Sequence, residues 1–593
     1  MKSPEFGAFF ILLKMHFIYL FFCIFFSLYT YGQTSWPNER FSAWQNSGCQ
    51  HQFDSLFVDI NMADYNIDAT GQADCSAILQ SVLNQYDHVR IQFNAGTFKI
   101  EQPIVLKSHQ VLAGAGPDLT HFIVDLNGAG HAFSASGTIE QQYYSVNAPL
   151  VKNQNFVVCT QQNFDVGNWL YLQNADSALV TSTWALGSTG QMIQIDHISG
   201  DTLWLEKPLR RSYSGETWVR KMNPLTEIGL RCFSIERQDD TAPIQTSNIR
   251  FFGLVEAQVE SIYSNKCNFA HLELTSCAHV TVRKCFYNEG FTYGGGGRAY
   301  GVVLQQTSGD NLIEDNIFKH LRHSVLFQSG ANGNVCAFNF STDAYWEESL
   351  LTANAAGEIV LHGNYPYSNL IEQNSVGNIV IDNSHGANGP DNLFYRNRAT
   401  LYGIFFSDQS SPNQLFIGNH VTNTNFPYNF VNWTISGTGH FLFANNNKGN
   451  IVPSNTSFVS DTSFAYTEKP SFVNLGVWLH IGDQPAIILP IPAENRWLNQ
   501  AYFSTSCNQT DLSLYDPKLT FLSYPNPVQG QLSITCSKPY FGNVFLFNSA
   551  GQILGKYLMH GSEMHINTEE FKEGVYLLNF EQSNGVLKMI KIN

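Results

Sequence analysis

Four short segments in the second half of the chain carry side chains suited to proton transfer and to holding an anionic group. They span residues 319–323, 345–348, 362–365 and 382–391, and they supply the candidate catalytic residues Arg322, His323, His362, Tyr365, Asp382 and His385. Histidine titrates near neutral pH, so it serves readily as a base or an acid. His362 and His385 are the leading candidates because each precedes a glycine beside the end of a predicted strand.

These residue types can carry out β-elimination on a polymer that contains uronic acids. In that reaction a base removes the proton α to a carboxylate, positive charge or hydrogen-bond donors stabilise the enolate-like charge, and an acid assists the leaving oxygen. His362 or His385 would be the base, with Arg322 neutralising the carboxylate. Tyr365 would be the acid.

Hydrolysis is the competing chemistry, and it needs two carboxylates. Their separation is roughly 5–5.5 Å for retention and 6.5–9.5 Å for inversion. The candidate pairs are Asp382 with Asp408 and Glu347 with Asp382. Strands stacked roughly 4.8 Å apart would allow either separation.

Further residues are candidates for substrate binding. They are Arg298, which follows a run of four glycines, together with Tyr345, Glu347 and Arg396. Simpler roles remain open for some neighbours, since His320 can cap a turn and Glu347 can lie at a solvated loop tip. A third functional hypothesis is a non-catalytic adhesin or glycan-binding protein, but the gathering of histidine, arginine and carboxylates favours an enzyme.

A repeated segment predicts how these residues are positioned. Five similar short strands occupy residues 311–316, 334–339, 369–374, 392–397 and 414–419, and each ends in asparagine. The closing asparagines fall at 316, 339, 374, 397 and 419, at steps of 23, 35, 23 and 22 residues. Strands that return at this interval, with no helix between them, indicate a solenoid in which each coil covers the next. The asparagines would then form a hydrogen-bonded ladder along the stack.

A second strand follows in each coil. Residues 325–328, 359–362, 379–382 and 404–407 align, and their last residues are Gln328, His362, Asp382 and Ser407. These four side chains should stack on one face of the solenoid. The sequence therefore predicts an all-β protein, a right-handed parallel β-helix, with the candidate chemistry at strand ends in neighbouring coils.

The amino-terminal part of this solenoid carries a family resemblance. Apolar residues at helical spacing predict a short helix in 75–85, which would cap the open end of the stack. An AGTF turn at 95–98 and a GAG at 114–116 follow. This layout resembles the pectate-lyase superfamily, especially its rhamnogalacturonase-like branch. The resemblance implies the β-helix fold and action on a polysaccharide, but these motifs are structural in that superfamily and imply no catalytic residue here.

The solenoid, predicted to span 33–503, is interrupted near 140–225 by an inserted β-element. The insertion holds the densest basic run in the body of the chain, formed by Lys207, Arg210, Arg211, Arg220 and Lys221. Two interpretations are open. The run is either a solvated hairpin or a wall of the substrate groove that contacts carboxylate or sulfate groups, for which arginine is well suited.

The two ends of the chain predict export. Residues 1–32 combine a basic start, a short apolar stretch and a small residue at the exit, which is typical of a signal peptide. A linker at 504–516 leads to a small β-sandwich at 517–593. Its YPNP at 524–527, GVYLL at 574–578 and basic-apolar final strand resemble the C-terminal sorting domain of the type IX secretion system. This resemblance implies export across the outer membrane by that machinery, to the cell surface or the medium.

Charge and cysteine content limit the classes of partner that the protein can bind. The formal charge of −16 argues against nucleic acid. The 11 cysteines show no metal-binding spacing, and Cys277 and Cys285 are expected to pack inward. No cofactor is required by the sequence, although the many carboxylates are compatible with calcium. We expect a monomeric secreted enzyme acting on a polysaccharide, with lyase activity favoured over hydrolase activity.

Overall fold

The computed structural model describes residues 36–50, 53, 57–128, 130–160, 163–240, 245–348, 356–429, 432–456, 459, 463–473, 478–479, 481–482, 489–503, 507, 521–525, 527–548, 552–580 and 586–592. The chain divides into two compact units, residues 1–41 and 42–593. The described part of the first unit contains one 3-10 turn, Asn38–Arg40. Among the described residues, no helix is long and apolar enough to cross a membrane.

The body of the second unit is a right-handed parallel β-helix in which successive coils add strands to three parallel ladders. Ladder 1 consists of Val58–Asn61, Val89–Gln92, Gln110–Ala113, Leu225–Thr226, Gly229–Arg231, Leu254–Glu260, Ala278–Arg283, Leu312–Glu314, Val335–Ala337, Leu370–Glu372, Leu393–Tyr395, Leu415–Ile417 and Phe441–Phe443. Ladder 2 consists of Thr70–Asp74, Gly96–Ile100, Thr120–Val124, Ser234–Arg237, Tyr263–Asn265, Phe286–Asn288, Ile317–Lys319, Phe340–Thr342, His420–Val421 and Asn445–Asn447, closed by the antiparallel strand Asn450–Val452.

Ladder 3 carries the candidate site. It consists of Ile104–Leu106, Phe133–Ser136, Ser247–Phe252, Ala270–Thr275, Tyr300–Gln305, His323–Phe327, Ile359–Leu361 and Asn432–Thr434. Two longer strands, Ser375–Ile381 and Arg398–Phe406, pass through both ladder 2 and ladder 3. The predicted fold class is confirmed.

Two asparagine ladders hold the coils in register. In the first, Asn316, Asn339, Asn374, Asn397 and Asn419 each donate a side-chain N–H to the side-chain oxygen of the next member at 2.9–3.0 Å, and the row ends on Asn445. In the second, Asn311, Asn334, Asn369 and Asn392 do the same and end on Gln414, at 2.8–3.0 Å. The predicted ladder is confirmed. It satisfies buried amide groups that would otherwise destabilise a turn inside the stack.

The interior is one continuous apolar core, and its amino-terminal end is closed by a helix. Ser76–Gln85 is that helix, and its buried Leu79, Val82 and Leu83 pack into the core. This confirms the helix expected in 75–85. Cys277 and Cys285 lie fully buried in the same core, as expected. Short 3-10 turns at Trp44–Asn46 and Met62–Tyr65 precede the first full coils.

A carboxy-terminal strap runs back along the stack. The helix Pro492–Leu498 lies against ladder 2, where Arg496 donates to both carboxylate oxygens of the buried Asp315 at 2.7 Å. Beyond it, Cys507 forms a disulfide with Cys232. Cys507 falls within the segment predicted as a linker, so at least this point of the linker is fixed to the β-helix.

The insertion near 140–225 is a separate antiparallel β-element with its own core. Its strands are Thr138–Ile139, Tyr144–Ser145, Phe156–Val158, Trp169–Asn174, Gln191–Ser199, Thr202–Leu205 and Thr217–Asn223, and it contains the 3-10 turn Thr183–Ala185.

Part of its basic run anchors the insertion to the coils. Arg210 and Lys207 lie 2.5 and 3.1 Å from the buried carboxylate of Asp310. Burial alone would raise the pKa of Asp310, but the two cations hold it well below its usual range. Arg211 lies over the ring of Tyr213, 4.2 Å from its centroid. These three residues are therefore neither a solvated hairpin nor a substrate wall.

The small carboxy-terminal domain contains five antiparallel strands. They are Phe521–Tyr524, Gln531–Asn548, Ile553–Asn567, Gly574–Phe580 and Val586–Lys591. Their inward side chains form one core that includes Leu532, Val544 and Leu578. Because the register of the two longest strands shifts between Thr535 and Tyr540, the sheet can fold over this core as the predicted small sandwich.

Candidate active site

A cleft of about 650 Å³ lies on the outer face of ladder 3. The coils form its floor, and the insertion contributes Trp184 to its wall. Its lining residues are His131, Trp184, Gln245, Arg250, Phe269, Glu273, Gly296, Gly297, Tyr300, Gln305, Gln306, Arg322, Gln328, His362, Ser384 and His385. The glycine run thus forms part of the cleft through Gly296 and Gly297, both of which have positive φ angles.

The parallel register places the predicted strand-end residues in one row. Phe327, Leu361, Ile381 and Phe406 are paired from coil to coil. The residues that follow them are therefore stacked, and these are Gln328, His362, Asp382 and Ser407. The predicted alignment is confirmed, and it brings His362 and Asp382 together from adjacent coils.

His362 and Asp382 form the central pair of the site. The Nδ1 atom of His362 lies 2.5 Å from Oδ2 of Asp382. Oδ1 of Asp382 accepts hydrogen bonds from the backbone N–H and the hydroxyl of Ser384 at 2.5 and 2.6 Å. Burial alone would raise the pKa of Asp382, but the hydrogen bonds from His362 and Ser384 hold it well below its usual range. The ionised carboxylate fixes Nδ1, which leaves Nε2 of His362 as the nitrogen available to the cleft.

Two further imidazole rings flank His362. Its ring centroid lies 5.3 Å from that of His323 and 5.0 Å from that of His385. Burial, together with the charge of His362, lowers the pKa of both neighbours, so they favour the neutral form. His323 is only 2% exposed, and its Nδ1–H donates to the Gly357 carbonyl at 2.8 Å, so it supports His362 as a buried neighbour. His385 lines the cleft beside Trp184, at 5.5 Å between ring centroids.

Arg322 and Tyr300 line the same cleft as His362, and the Tyr300 ring centroid lies 4.9 Å from that of His323. The guanidinium of Arg322 donates to the Gly294 carbonyl at 2.7 Å and lies 5.8 Å from the Tyr300 ring centroid. Burial raises the pKa of Tyr300, so its hydroxyl carries a proton at neutral pH. Arg322 was predicted from the sequence, but Tyr300 was not, because it begins a strand and no local motif marks it.

A row of polar side chains extends from this group along the cleft floor. Glu273 accepts hydrogen bonds from Gln305 and Thr275 at 3.0 Å, and Gln328 donates to Gln305 at 2.6 Å. Arg250 lies at the far end, with Nε 3.4 Å from Glu273. The sequence did not predict a role for Arg250, Glu273 or Gln305. Extending the strand-end alignment upstream from Gln328 would have found Gln305.

Two predicted residues lie away from the cleft. Tyr365 packs against the insertion, with its ring centroid 5.5 Å from the guanidinium of Arg211, so it is not placed to act as the acid beside His362. Arg396 is 1% exposed and donates to the carbonyls of Ile481 and Val459 at 3.0 and 2.5 Å. It is a buried structural residue, and the expectation that it binds substrate is corrected.

Three more predicted binding residues lie outside the cleft lining. Arg298 is exposed and donates to Thr292 within its own loop at 2.9 Å. Tyr345 stacks on His320, with ring centroids 4.9 Å apart. Glu347 is exposed and lies beside Gly294, as expected for a loop tip.

Neither predicted carboxylate pair meets in the cleft. Asp382 is bound to His362 and Ser384, whereas Asp408 accepts hydrogen bonds from Asn383 and Ser410. Among the described residues that line the cleft, Glu273 is the one acidic side chain. The described lining of the cleft therefore supplies one of the two carboxylates that hydrolysis requires.

No group of three or more His, Cys, Asp or Glu side chains in the described part of the chain could hold a metal ion. A role for calcium stays a prediction.

Comparison with known families identifies the carboxy-terminal domain. Residues 523–592 match the family described as "Secretion system C-terminal sorting domain". The expected sorting domain is confirmed, and with it the localisation. The protein is exported across the outer membrane and is secreted or held at the cell surface, with the secretion machinery as a partner. No curated protein sequence matches this chain.

Solved structures similar to this chain are β-helix proteins. The tailspike protein gp49 from Pseudomonas phage LKA1 has 13% identity and a TM-score of 0.45, over 65% of this chain and 72% of its own. The Pseudomonas phage phi297 tailspike gp61 has 12% identity and a TM-score of 0.45, over 86% and 96%. An exopolygalacturonase from Thermotoga maritima has 10% identity and a TM-score of 0.29, over 67% and 80%. Similarities this low carry no argument about substrate or chemistry.

Proposed function

We propose that this exported β-helix protein is an enzyme that cleaves a uronic-acid-containing polysaccharide by β-elimination in the ladder 3 cleft. The observation that carries the proposal is the His362–Asp382 pair. Because the Asp382 carboxylate holds Nδ1 of His362, Nε2 is the nitrogen that can act as a base. The cleft around it is long enough to bind a polymer.

The reaction would start with proton abstraction. Nε2 of His362 takes the proton α to the sugar carboxylate, and Asp382 stabilises the imidazolium that forms. Arg322 pairs with the carboxylate and with the enolate-like charge that develops on it. A C–H bond is broken in this step, and its electron pair is delocalised into the carboxylate.

The second half of the reaction breaks the glycosidic bond. The electron pair forms a C=C bond as the C–O bond to the leaving sugar breaks. The leaving oxygen takes a proton from Tyr300, which lines the cleft beside Arg322 and replaces Tyr365 in this role. The proton held by His362 restores Tyr300 between turnovers, so no water is consumed.

Hydrolysis is less well supported by the geometry. It requires two carboxylates on opposite sides of the bond, and Glu273 already accepts hydrogen bonds from Ser247, Thr275 and Gln305.

The test is to incubate the purified protein with a panel of uronic-acid and neutral polysaccharides. The formation of a C=C bond conjugated to a carboxylate is followed by ultraviolet absorbance, and new reducing ends are measured in parallel. Absorbance that rises with the native protein and is lost in His362→Gln supports the proposal. New reducing ends without absorbance would indicate a hydrolase. Binding without either product would indicate a glycan-binding protein.

A further inference from the structure

The cleft continues beyond the reacting group into a second chamber. This chamber has a volume of about 430 Å³ and shares Arg250, Glu273, Gln305 and Gln306 with the main cleft. It lies between ladder 3 and the insertion, which contributes Tyr171 and Arg220 to its lining. A polymer lying in the main cleft would therefore pass into it.

Two arginines line this chamber from different parts of the fold. Arg220 is on the insertion strand Thr217–Asn223, where its Nε donates to the Glu140 carbonyl at 2.8 Å and its guanidinium lies 4.8 Å from the Tyr143 ring centroid. Arg250 is on ladder 3. In the described part of the chain, its Nε bonds to Glu273, while its terminal amino groups make no hydrogen bond. Of the five residues in the basic run of the insertion, Arg220 is the one among the described lining residues of the main cleft and this chamber.

The strand ends between Arg250 and His362 carry polar side chains, among them Glu273, Gln305 and Gln328. The carboxylate of Glu273 can only accept, so Gln305 must present its amide N–H group to it. The oxygen of Gln305 then accepts from Gln328, as observed at 2.6 Å. This chain fixes the orientation of both amides, and oriented amides suit the hydroxyl groups of neutral sugars.

The register gives the distance between the two charged ends of the cleft. Arg250 is paired with Glu273, and the same row continues through Val303 and Leu326 to Val360. Val360 belongs to the strand that ends before His362. The separation is thus four coil steps, or about 19 Å at roughly 4.8 Å per step.

We propose that the second chamber is an anion-binding subsite. In it Arg250 and Arg220 bind a carboxylate or sulfate group of the same polysaccharide chain that is cleaved at His362. Sugars between the two ends lie on the glutamine floor and contact it through hydroxyl groups. The inference rests on the proposed function. It adds that the preferred substrate carries a second acidic group several sugars from the cleaved bond.

The test compares the variants Arg250→Gln and Arg220→Gln with the native enzyme on size-fractionated oligosaccharides of a polymer that it cleaves. We expect kcat/KM on long chains to fall by about 10–100-fold, mainly through KM, because a charged hydrogen bond is lost. Oligosaccharides too short to reach the chamber should show little change. Arg298→Gln is the matched control, since Arg298 is an exposed arginine outside both chambers. An equal loss at every chain length would overturn the proposal.

Binding separates this inference from the proposed chemistry. The affinity of His362→Gln for intact acidic polysaccharides is measured by calorimetry, with and without Arg250→Gln. Weaker binding in the double variant supports the subsite even if no cleavage is found. Unchanged binding refutes the subsite even if the enzyme is a lyase. Carboxyl-reduced and desulfated forms of the polymer then identify which anion is bound.

Discussion

The Nδ1 atom of His362 lies 2.5 Å from the Oδ2 atom of Asp382, although the two residues belong to different coils. Parallel stacking produces this contact directly, because Leu361 pairs with Ile381 and the next residues in each strand must then face each other. Each residue of the pair is held by its own strand end. The geometry therefore does not depend on a flexible loop, which suits a preorganised base.

The pair gives the first prediction. His362→Gln should lower turnover by about 10²–10⁴-fold, the usual contribution of a general base. Asp382→Asn should also lower kcat, since it removes the charge that orients and stabilises the imidazole. His320→Gln is the control, because His320 forms a similar contact with Asp343, at 2.9 Å, outside the main cleft. Native turnover in His362→Gln would remove His362 from the mechanism.

The wall of the cleft gives the second prediction. Trp184 is 47% exposed beside His385, so a sugar ring that covered it would bury apolar surface. Trp184→Ala should raise KM by roughly tenfold, about 1.4 kcal/mol of binding energy, with a smaller effect on kcat. Leu498→Ala is the comparison, since Leu498 is 63% exposed but does not line the cleft. Equal kinetics in the two variants would argue against contact between Trp184 and the polymer.

Buried carboxyls give the third prediction, which concerns stability against pH. Burial raises the pKa of Glu358 to about 7, against about 4.3 for an exposed glutamate in the unfolded chain. The folded state therefore binds the proton more tightly. The stability that this provides is complete below the unfolded pKa and is lost as pH rises through the folded pKa.

The corresponding measurement is the thermal unfolding midpoint across that pH range. The native protein should lose stability between about pH 4.5 and about pH 7. Glu358→Gln, which mimics the neutral carboxyl, should lose less. The pKa of Glu372 is raised by burial to about 7 as well, so Glu358→Gln/Glu372→Gln should flatten the profile further. An unchanged profile in the double variant would contradict the assignment.

The asparagine ladder gives the fourth prediction. Asn374 donates to the Cys336 carbonyl and to the side chain of Asn397, and it accepts from the side chain of Asn339, all at 2.9–3.0 Å. Asn374→Ala should cost roughly 2–5 kcal/mol of stability, because several buried polar groups lose their partners. Chemical denaturation measures this loss. Exposed Asn425→Ala should change stability by less than about 0.5 kcal/mol, and a similar small effect at Asn374 would show that the ladder is dispensable.

The repetitive part of this protein can be predicted from its amino-acid sequence. The spacing of Asn316, Asn339 and Asn374 predicted the coil and its ladder, and the alignment of strand ends predicted that His362 and Asp382 would meet. In a solenoid each residue packs mainly against its equivalent in the next coil. The spacing of the repeat along the sequence therefore predicts which residues contact each other between coils.

The set of side chains that share the cleft depends on tertiary packing and could not be predicted from the repeat. Tyr365 and Arg396 belong to the repeat, yet neither lines the cleft. Tyr365 packs on the insertion, and Arg396 is buried against the carbonyls of Val459 and Ile481. Conversely, Trp184 reaches His385 from the insertion, and Arg220 and Arg250 come from different elements. Such contacts join segments that do not belong to the same repeat. They depend on how irregular loops pack against the coils, and this packing cannot be predicted from the spacing of residues in the sequence.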